Sequence, residues 1–244
     1  HQTYDKEDPF FYAELGVFTE RVEFPVLLEN GNVWMSVVVS EIESMADAIA
    51  EAHGKVITYG LGLGYYAFMA AEKDNVESVT VIEKNPDVIR LFTESTLPFF
   101  PHKEKIQIIE ADALEFVKAQ EDGAYDYAFS DFWGGYYDGV DLYMQFMPLT
   151  ARFSRTKHSY WIESCFMEYF FHPVFMRLLM EKGLGQRVKL PERSREVRAL
   201  QDEFFRYMET QPLFIASADD IDRLLTPEEV TRWMRQFAVA RSRK

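Results

Sequence analysis

Three glycines at alternate positions, Gly60, Gly62 and Gly64, follow a short apolar run, Val56-Ile57-Thr58-Tyr59. A segment of helical character, Tyr65 to Glu72, comes next. A β-branched run, Val79-Thr80-Val81-Ile82, then ends on Glu83. Strand, glycine turn, helix, strand, acid is the front half of a nucleotide-binding α/β unit. Each part has its own chemistry. Glycine takes positive φ and lets a ligand lie against bare backbone. N–H groups at the start of the following helix face such a ligand and favour negative charge. A carboxylate at the tip of the second strand can accept both hydroxyls of a ribose.

Two further acids fall after apolar runs. Asp112-Ala113 follows Ile106–Ile109, and Asp131 follows Tyr125–Ser130. In a doubly wound sheet those positions lie at the carboxyl edge, over the ligand cleft. Each acid also fits a plainer role: Asp112 as N-cap of a helix Ala113–Lys118, Asp131 as cap of a helix beginning near Gly139. Trp133, Tyr136, Tyr137 and Asp138 crowd the loop behind Asp131 and are within reach of a substrate. Asp126, at the entrance of its strand, reads as structural.

A dinucleotide-binding turn needs glycine at position 65, where this chain has Tyr65. The G-x-G-x-G spacing resembles the first motif of the class I S-adenosylmethionine (SAM) dependent methyltransferases. The resemblance covers about residues 55 to 165. It implies that Gly60, Gly62, Gly64, Glu83 and Lys84 bind the cofactor. It further implies that Asp112 accepts from the adenine amino group while the Ala113 N–H meets a ring nitrogen. Asp131 then faces the methyl group, as a group that orients or deprotonates the nucleophile, with Trp133, Tyr136 and Tyr137 toward the substrate. The family usually carries an acid two residues before the first glycine; here that residue is Thr58. The segment just before the motif often lines the methionine end of the cofactor, which points to Trp34, Met35, Ser36 and Glu41, although a packed hairpin edge explains them equally well.

Composition narrows the rest. A chain of 244 residues with 48% hydrophobic content can bury one sizeable core. Net charge −14 argues against a nucleic-acid partner, because that binding gains from cations displacing counterions. No apolar run approaches the roughly 20 residues of a bilayer span, and no basic-then-apolar leader is present, so a cytoplasmic setting without membrane contact is expected. One cysteine, Cys165, suits a reducing compartment and reads as core rather than nucleophile. No Cys/His cluster suggests a metal. His158 reads as a satisfied structural histidine.

The elements that must position these residues follow from pattern. Asn30-Gly31 between Val22–Glu29 and Asn32–Val39 predicts a β-hairpin, with Pro25 marking an edge. Ser40 with Glu43 predicts a capping box and a helix that Gly54 stops. Asn85-Pro86 opens another helix, ending near Pro98. A helix Val140–Phe146 should end at Pro148, a fifth strand fits His158–Glu163, and a helix should run from His172 to Lys182. Beyond Leu184, weak strands at Arg187–Leu190 and Leu213–Ala216 flank an amphipathic helix, Glu192–Thr210. Thr226-Pro227-Glu228-Glu229 starts a last helix with N-cap, N1 proline and capping box.

The expectation is a doubly wound, mostly parallel α/β sheet with an N-terminal β-hairpin and a helical C-terminal extension. Its parts are 1–40, a SAM-binding unit over 41–183, and 184–244. The extension is suited to covering the cleft, setting specificity, or forming a homodimer contact. The function implied by the resemblance is methyl transfer from SAM, releasing S-adenosylhomocysteine (SAH), to a small-molecule or protein acceptor. Two alternatives stand beside it. One is a polyamine (aminopropyl) synthase using decarboxylated SAM, although Leu63 occupies the place of that family's aspartate. The other is a non-catalytic cofactor-binding or assembly protein.

Overall fold

In a computed structural model of the chain, residues 23–134, 136–183, 185–187, 195–213 and 215–243 are described. Strands β1 (Val26–Glu29) and β2 (Asn32–Ser36) form an antiparallel hairpin. Asn30 and Gly31 both take positive φ, 52° and 82°, as a two-residue turn between right-twisting strands requires. The strands are shorter than their composition suggests. Pro25 has no N–H to give, and beyond β2 one bond, from the Val37 N–H to the Pro25 carbonyl (3.1 Å), closes the pair. Residue 22 lies outside the described residues.

Helices α1 (Val39–Ser44) and α2 (Ala46–Glu51) follow, separated at Met45. The expected capping box does not form. The Ile42 N–H already bonds the Val38 carbonyl (3.0 Å), so Val38 is the N-cap and Ser40 lies inside the first turn. The chain then alternates strand and helix: β3 (Gly54–Tyr59), α3 (Tyr65–Ala71), β4 (Val76–Glu83), α4 (Pro86–Ser95), β5 (Ile106–Glu110), α5 (Ala113–Ala119), β6 (Tyr127–Ser130), α6 (Tyr136–Thr150) and β7 (Lys157–Tyr160). The strand order is β5-β4-β3-β6-β7, and every neighbouring pair is parallel. The chain winds outward from β3 to β5, then returns to β6 and winds the other way. The reversal lies between β3 and β6, beside the glycine turn, which is where open α/β sheets bind ligands.

Alternation along each strand divides the core in two. Val56, Val79, Val81, Tyr127 and Phe129 face one side, against Ala67, Ala70 and Phe92. Ile57, Tyr59, Ile82 and Ala128 face the other, against Val117, Tyr143 and Phe146. Strands buried on both faces read as nearly continuous apolar runs, as these do.

Four C-terminal helices, α7 (His172–Leu178), α8 (Arg195–Glu209), α9 (Ala218–Leu224) and α10 (Pro227–Ser242), extend the second core with Phe175, Phe204, Trp233 and Phe237. π-helical turns flank α7 on both sides, so the helix expected from His172 to Lys182 is present with its last part, Leu179–Gly183, widened to π. Pro148 lies inside α6 rather than ending it. It falls in the last turn, where the lost N–H costs one bond, and buried Phe146 and Met147 hold that turn in place.

Strand β7 stops at Tyr160, so Glu163 lies not in a strand but in the short 3-10 turn Trp161–Cys165. Its carboxylate is fixed there by both arms of the Arg235 guanidinium (2.8 Å each) and by the Tyr143 hydroxyl (2.7 Å). Residues 213, 215 and 216 are loop, not strand. The Ala216 and Ser217 N–H groups donate to the Asp220 carboxylate (3.1 and 3.2 Å), which spends them on the cap of α9. Residues 188–190 lie outside the described residues. The Thr226 hydroxyl accepts from the Glu229 N–H (3.4 Å), but Glu229 turns its carboxylate to Arg232 instead of completing a box. The half-buried His158 ring stacks between Phe153 and Tyr160, and neither ring nitrogen has a hydrogen-bond partner among the described residues, so it is an unsatisfied histidine rather than a satisfied one. Desolvation, with the Arg235 charge, lowers its pKa to about 4 and keeps it neutral. No described helix is long and apolar enough to cross a membrane.

Glycine substitutions separate space from conformation. A Cβ at Gly60 would stand 2.1 Å from the Asp131 carbonyl oxygen, whereas one at Gly31 meets nothing within 4 Å. Gly31→Ala should cost about 1 kcal/mol for its left-handed backbone, and Gly60→Ala on the order of 3 kcal/mol or more because backbone must also move. Urea denaturation of the two variants checks the order.

Candidate functional site

The carboxyl ends of β4, β3 and β6, with the roof formed by β1, β2 and α1, enclose a cleft of about 880 Å³. That is the size of a small-ligand site. Gly60, Gly62, Glu83, Lys84, Asp112, Ala113, Asp131 and Trp133 all line it, together with Trp34, Met35 and Glu41. Gly64 does not. Tyr136 and Tyr137 lie in the first turn of α6, and their side chains are outside the described residues.

Glu83 ends β4, and its two carboxylate oxygens have different partners. Oε2 accepts from the Leu61 N–H in the glycine turn (3.1 Å) and Oε1 from the Asn85 N–H (2.8 Å). One side chain therefore fixes two loops and still presents free lone pairs to the cleft. Asn85 in turn caps α4 by accepting from Asp87 N–H (3.0 Å), as the Asn-Pro pair predicts. One strand further out, Asp112 caps α5. Its Oδ1 accepts from Leu114 and Glu115 N–H (2.9 and 3.3 Å), while Oδ2 and the Ala113 N–H have no partner among the described residues. The cap is real, and it leaves the second oxygen available.

The glycine turn also meets a demand from packing. All three glycines have positive φ, yet protein atoms fill the space where each Cβ would stand. The Asp131 carbonyl sits against Gly60, the Met35 thioether against Gly62 (2.0 Å from an ideal Cβ), and the Phe92 ring against Gly64. The Leu63 N–H donates to Met35 Sδ (3.2 Å). The Gly60 and Gly64 N–H groups bond the Ile82 and Leu61 carbonyls (2.8 Å each). Glycine is needed here first for protein packing. Only at Gly62 is the neighbour the mobile end of a side chain. Thr58 is 2% exposed, and its hydroxyl turns to the Gly60 carbonyl (3.4 Å).

Asp131 follows β6. Its N–H continues the ladder to the Tyr59 carbonyl (2.9 Å), and its half-buried carboxyl has no hydrogen-bond or ion-pair partner among the described residues. It does not cap α6. Desolvation, reinforced by the nearby Glu41 charge, raises its pKa to about 7. Burial likewise raises Glu41. A carboxyl titrating near neutrality can take or give a proton at working pH. Trp133 is 7% exposed and fixed: its indole N–H donates to the Ser130 carbonyl (3.1 Å) and its ring packs on Phe132 and Phe146. It forms a wall. Asp126 accepts from the Lys55 N–H (2.7 Å) at the far end of the sheet, which is a structural position. Cys165 is half-buried, and burial raises its thiol pKa, so it is no ready nucleophile.

Trp161 lines the cleft without standing out in the sequence. Its indole N–H donates to Ser44 Oγ (2.9 Å), tying the segment after β7 to α1 across 117 residues. Only the strand order brings the two together, so no local signal could have found it.

No family model and no curated protein matches the chain. Solved structures similar to it include spermidine synthase from Thermotoga maritima, at 16% identity and TM-score 0.44, covering 57% of this chain and 53% of that one. Another is the Trypanosoma brucei PRMT1 enzyme-prozyme complex with AdoHcy, at 12% identity and TM-score 0.36, covering 49% and 37%. A third is precorrin 8w decarboxylase of Methanobacterium thermoautotrophicum, at 19% identity and TM-score 0.38, covering 61% and 73%. The chain spans about half or less of the length of the first two. Likeness at this level carries no argument about activity; the α/β doubly wound fold rests on the chain's own strand order and register.

The Asp131 environment has a measurable cost. Its folded pKa lies above the ordinary 3.8, so the folded state keeps a proton that the unfolded chain has released. Stability from this group is full below about pH 4 and is lost as pH rises to about 7. Asp131→Asn should therefore stabilise the protein, and the gain should grow by on the order of 2 kcal/mol between pH 5 and pH 8. Chemical denaturation at both pH values measures it.

Proposed function

We propose that the cleft binds S-adenosylmethionine and that the chain transfers its methyl group to a small-molecule or protein acceptor. The observation that carries the reading is the row of acids at the sheet's switch point. Glu83 and Asp112 stand on one side of the glycine turn, each with acceptor capacity to spare, and Asp131 stands on the other. Strands lie about 4.8 Å apart, so the row spans the dimensions of a nucleoside and its appendage.

When bound, the cofactor supplies an electrophilic methyl carbon on a sulfonium leaving group. The chain's own residues do the rest. Glu83 accepts from the ribose hydroxyls, held at the required angle by the Leu61 and Asn85 N–H groups. Asp112 Oδ2 and the Ala113 N–H meet the adenine edge. Lys84 lies alongside on the same rim. Trp133 and Trp161 exclude water from the β6 side. Asp131 takes the proton of an acceptor that arrives protonated, and its pKa near 7 matches that task. Positioning supplies the larger share of the barrier reduction, up to about 7–11 kcal/mol in favourable cases. Tyr136 and Tyr137 remain candidates for the acceptor side.

Aminopropyl transfer from decarboxylated SAM is the competing reading, and net charge −14 would suit its polycationic amine. A protein that binds the cofactor without turnover is the third. Incubation with methyl-labelled SAM, and separately with decarboxylated SAM, over an acceptor panel distinguishes them. Label transferred from SAM supports the methyl reading; product only from the decarboxylated form replaces it; tight SAH binding with no product leaves the assembly role.

Two variants locate the chemistry. Glu83→Gln keeps one backbone bond, so it should fold, and it should weaken SAH binding by about tenfold through the lost charge-assisted bonds. Unchanged affinity removes Glu83 from the ligand. Asp131→Asn should lower turnover by roughly 10²–10⁴-fold, a larger loss than the loss in SAH affinity. Equal loss of both would make Asp131 structural. Calorimetry and initial rates supply the two readouts.

A further inference from the structure

We infer that Glu41 binds the ammonium end of the adenosyl cofactor, from helix α1, in place of an acid at position 58. The inference rests on the adenosyl reading above. Position 58 cannot do it: Thr58 is almost fully buried and its hydroxyl is committed to the Gly60 carbonyl. Glu41 lies in the first turn of α1 and lines the same cleft. The Ser44 hydroxyl bonds the Glu41 backbone carbonyl (2.8 Å), and the Trp161 indole bonds Ser44 in turn, so the start of α1 is fixed over the end of β7. The Glu41 carboxylate itself has no hydrogen-bond or ion-pair partner among the described residues.

Its placement is on the correct side of the turn. Gly60 touches the Asp131 carbonyl, so the tip of β6 adjoins the turn directly, and the Glu41 charge acts on Asp131. Glu83 and Asp112 stand on the opposite side, where the nucleoside belongs. The remaining end of the cofactor carries the ammonium and must run toward β6. Two half-buried carboxyls, Glu41 and Asp131, line that part of the cleft, and among the described residues no lysine or arginine lines it with them; Lys84 and Arg90 line it from the β4 and α4 side. Like charges held together in a desolvated cleft favour a cation between them. An ammonium from the ligand supplies one, and its arrival would also lower the proton affinity of Asp131, readying the base only when the cofactor is in place. Decarboxylated SAM keeps the same ammonium, so the role holds for either transfer.

The test compares SAH with 5′-methylthioadenosine, which has the nucleoside and sulfur but neither amine nor carboxylate. Glu41→Gln should weaken SAH binding at least tenfold and leave methylthioadenosine within twofold, by calorimetry. Unchanged SAH affinity, or equal loss for both ligands, overturns the role of Glu41. Failure of the wild-type protein to bind either ligand overturns the adenosyl reading and this inference with it. A measurement on the unmodified protein guards against a misfolded variant: S-adenosyl-3-thiopropylamine, which retains the amine alone, should bind at least tenfold more tightly than methylthioadenosine. Equal affinities overturn the inference.

Discussion

One carboxylate holds the working end of this sheet together. Glu83 closes β4 and accepts one N–H from the glycine turn after β3 and another from the loop that starts α4. Each bond to a charged acceptor is worth about 1.5–3 kcal/mol. More important than their sum is where they act. The turn and the next loop cannot shift independently, so the acids on neighbouring strand tips keep their spacing. The Gly60 N–H to the Ile82 carbonyl (2.8 Å) repeats the tie one residue back.

The glycines complete that lock from inside. Their missing side chains admit a carbonyl, a thioether and a phenyl ring, so three separate elements converge on five residues of turn. Of the three neighbours, Asp131 brings chemistry with it. Its backbone packs on Gly60 while its carboxyl stands in the cleft with no partner among the described residues. The packing that positions the group also desolvates it, which is why a stability penalty and a neutral-range pKa occur at one residue. The hairpin contributes in a different manner. A two-stranded ribbon is marginal by itself, and Met35 anchors this one on the turn through the Leu63 N–H. A ligand that takes that N–H must move Met35, so the roof of the cleft and its floor share one donor.

On the far side, the C-terminal helices are bound in by apolar burial and by the Arg235–Glu163 pair. Removing one partner of such a partly buried pair leaves the other charge uncompensated. Glu163 therefore belongs to the scaffold.

Local signals in the chain were sufficient for the order and type of elements. Asn30-Gly31 needs a turn with two positive φ values, Asn85-Pro86 needs a helix start, and apolar runs between glycine and acid need buried parallel strands. These are rules of backbone geometry and burial, and they act over a few residues. They also determined that an acid would end or closely follow three of the strands, β4, β5 and β6. What the sequence could not determine was the use of each group. Ser40 and Glu43 fit a capping box, but the helix begins earlier because Val38 supplies the first carbonyl. The alternate glycines read as bare backbone for a ligand; Gly60 and Gly62 do line the cleft, but the packing of Asp131, Met35 and Phe92 into the missing Cβ positions could not be read from the chain. Glu41, Met35 and Trp161 enter the cleft through contacts between segments far apart in the chain. The physical reason is the same in each case. A backbone conformation is chosen by neighbours along the chain, whereas the partner of a side chain, and the desolvation that sets its charge, are chosen by neighbours in space.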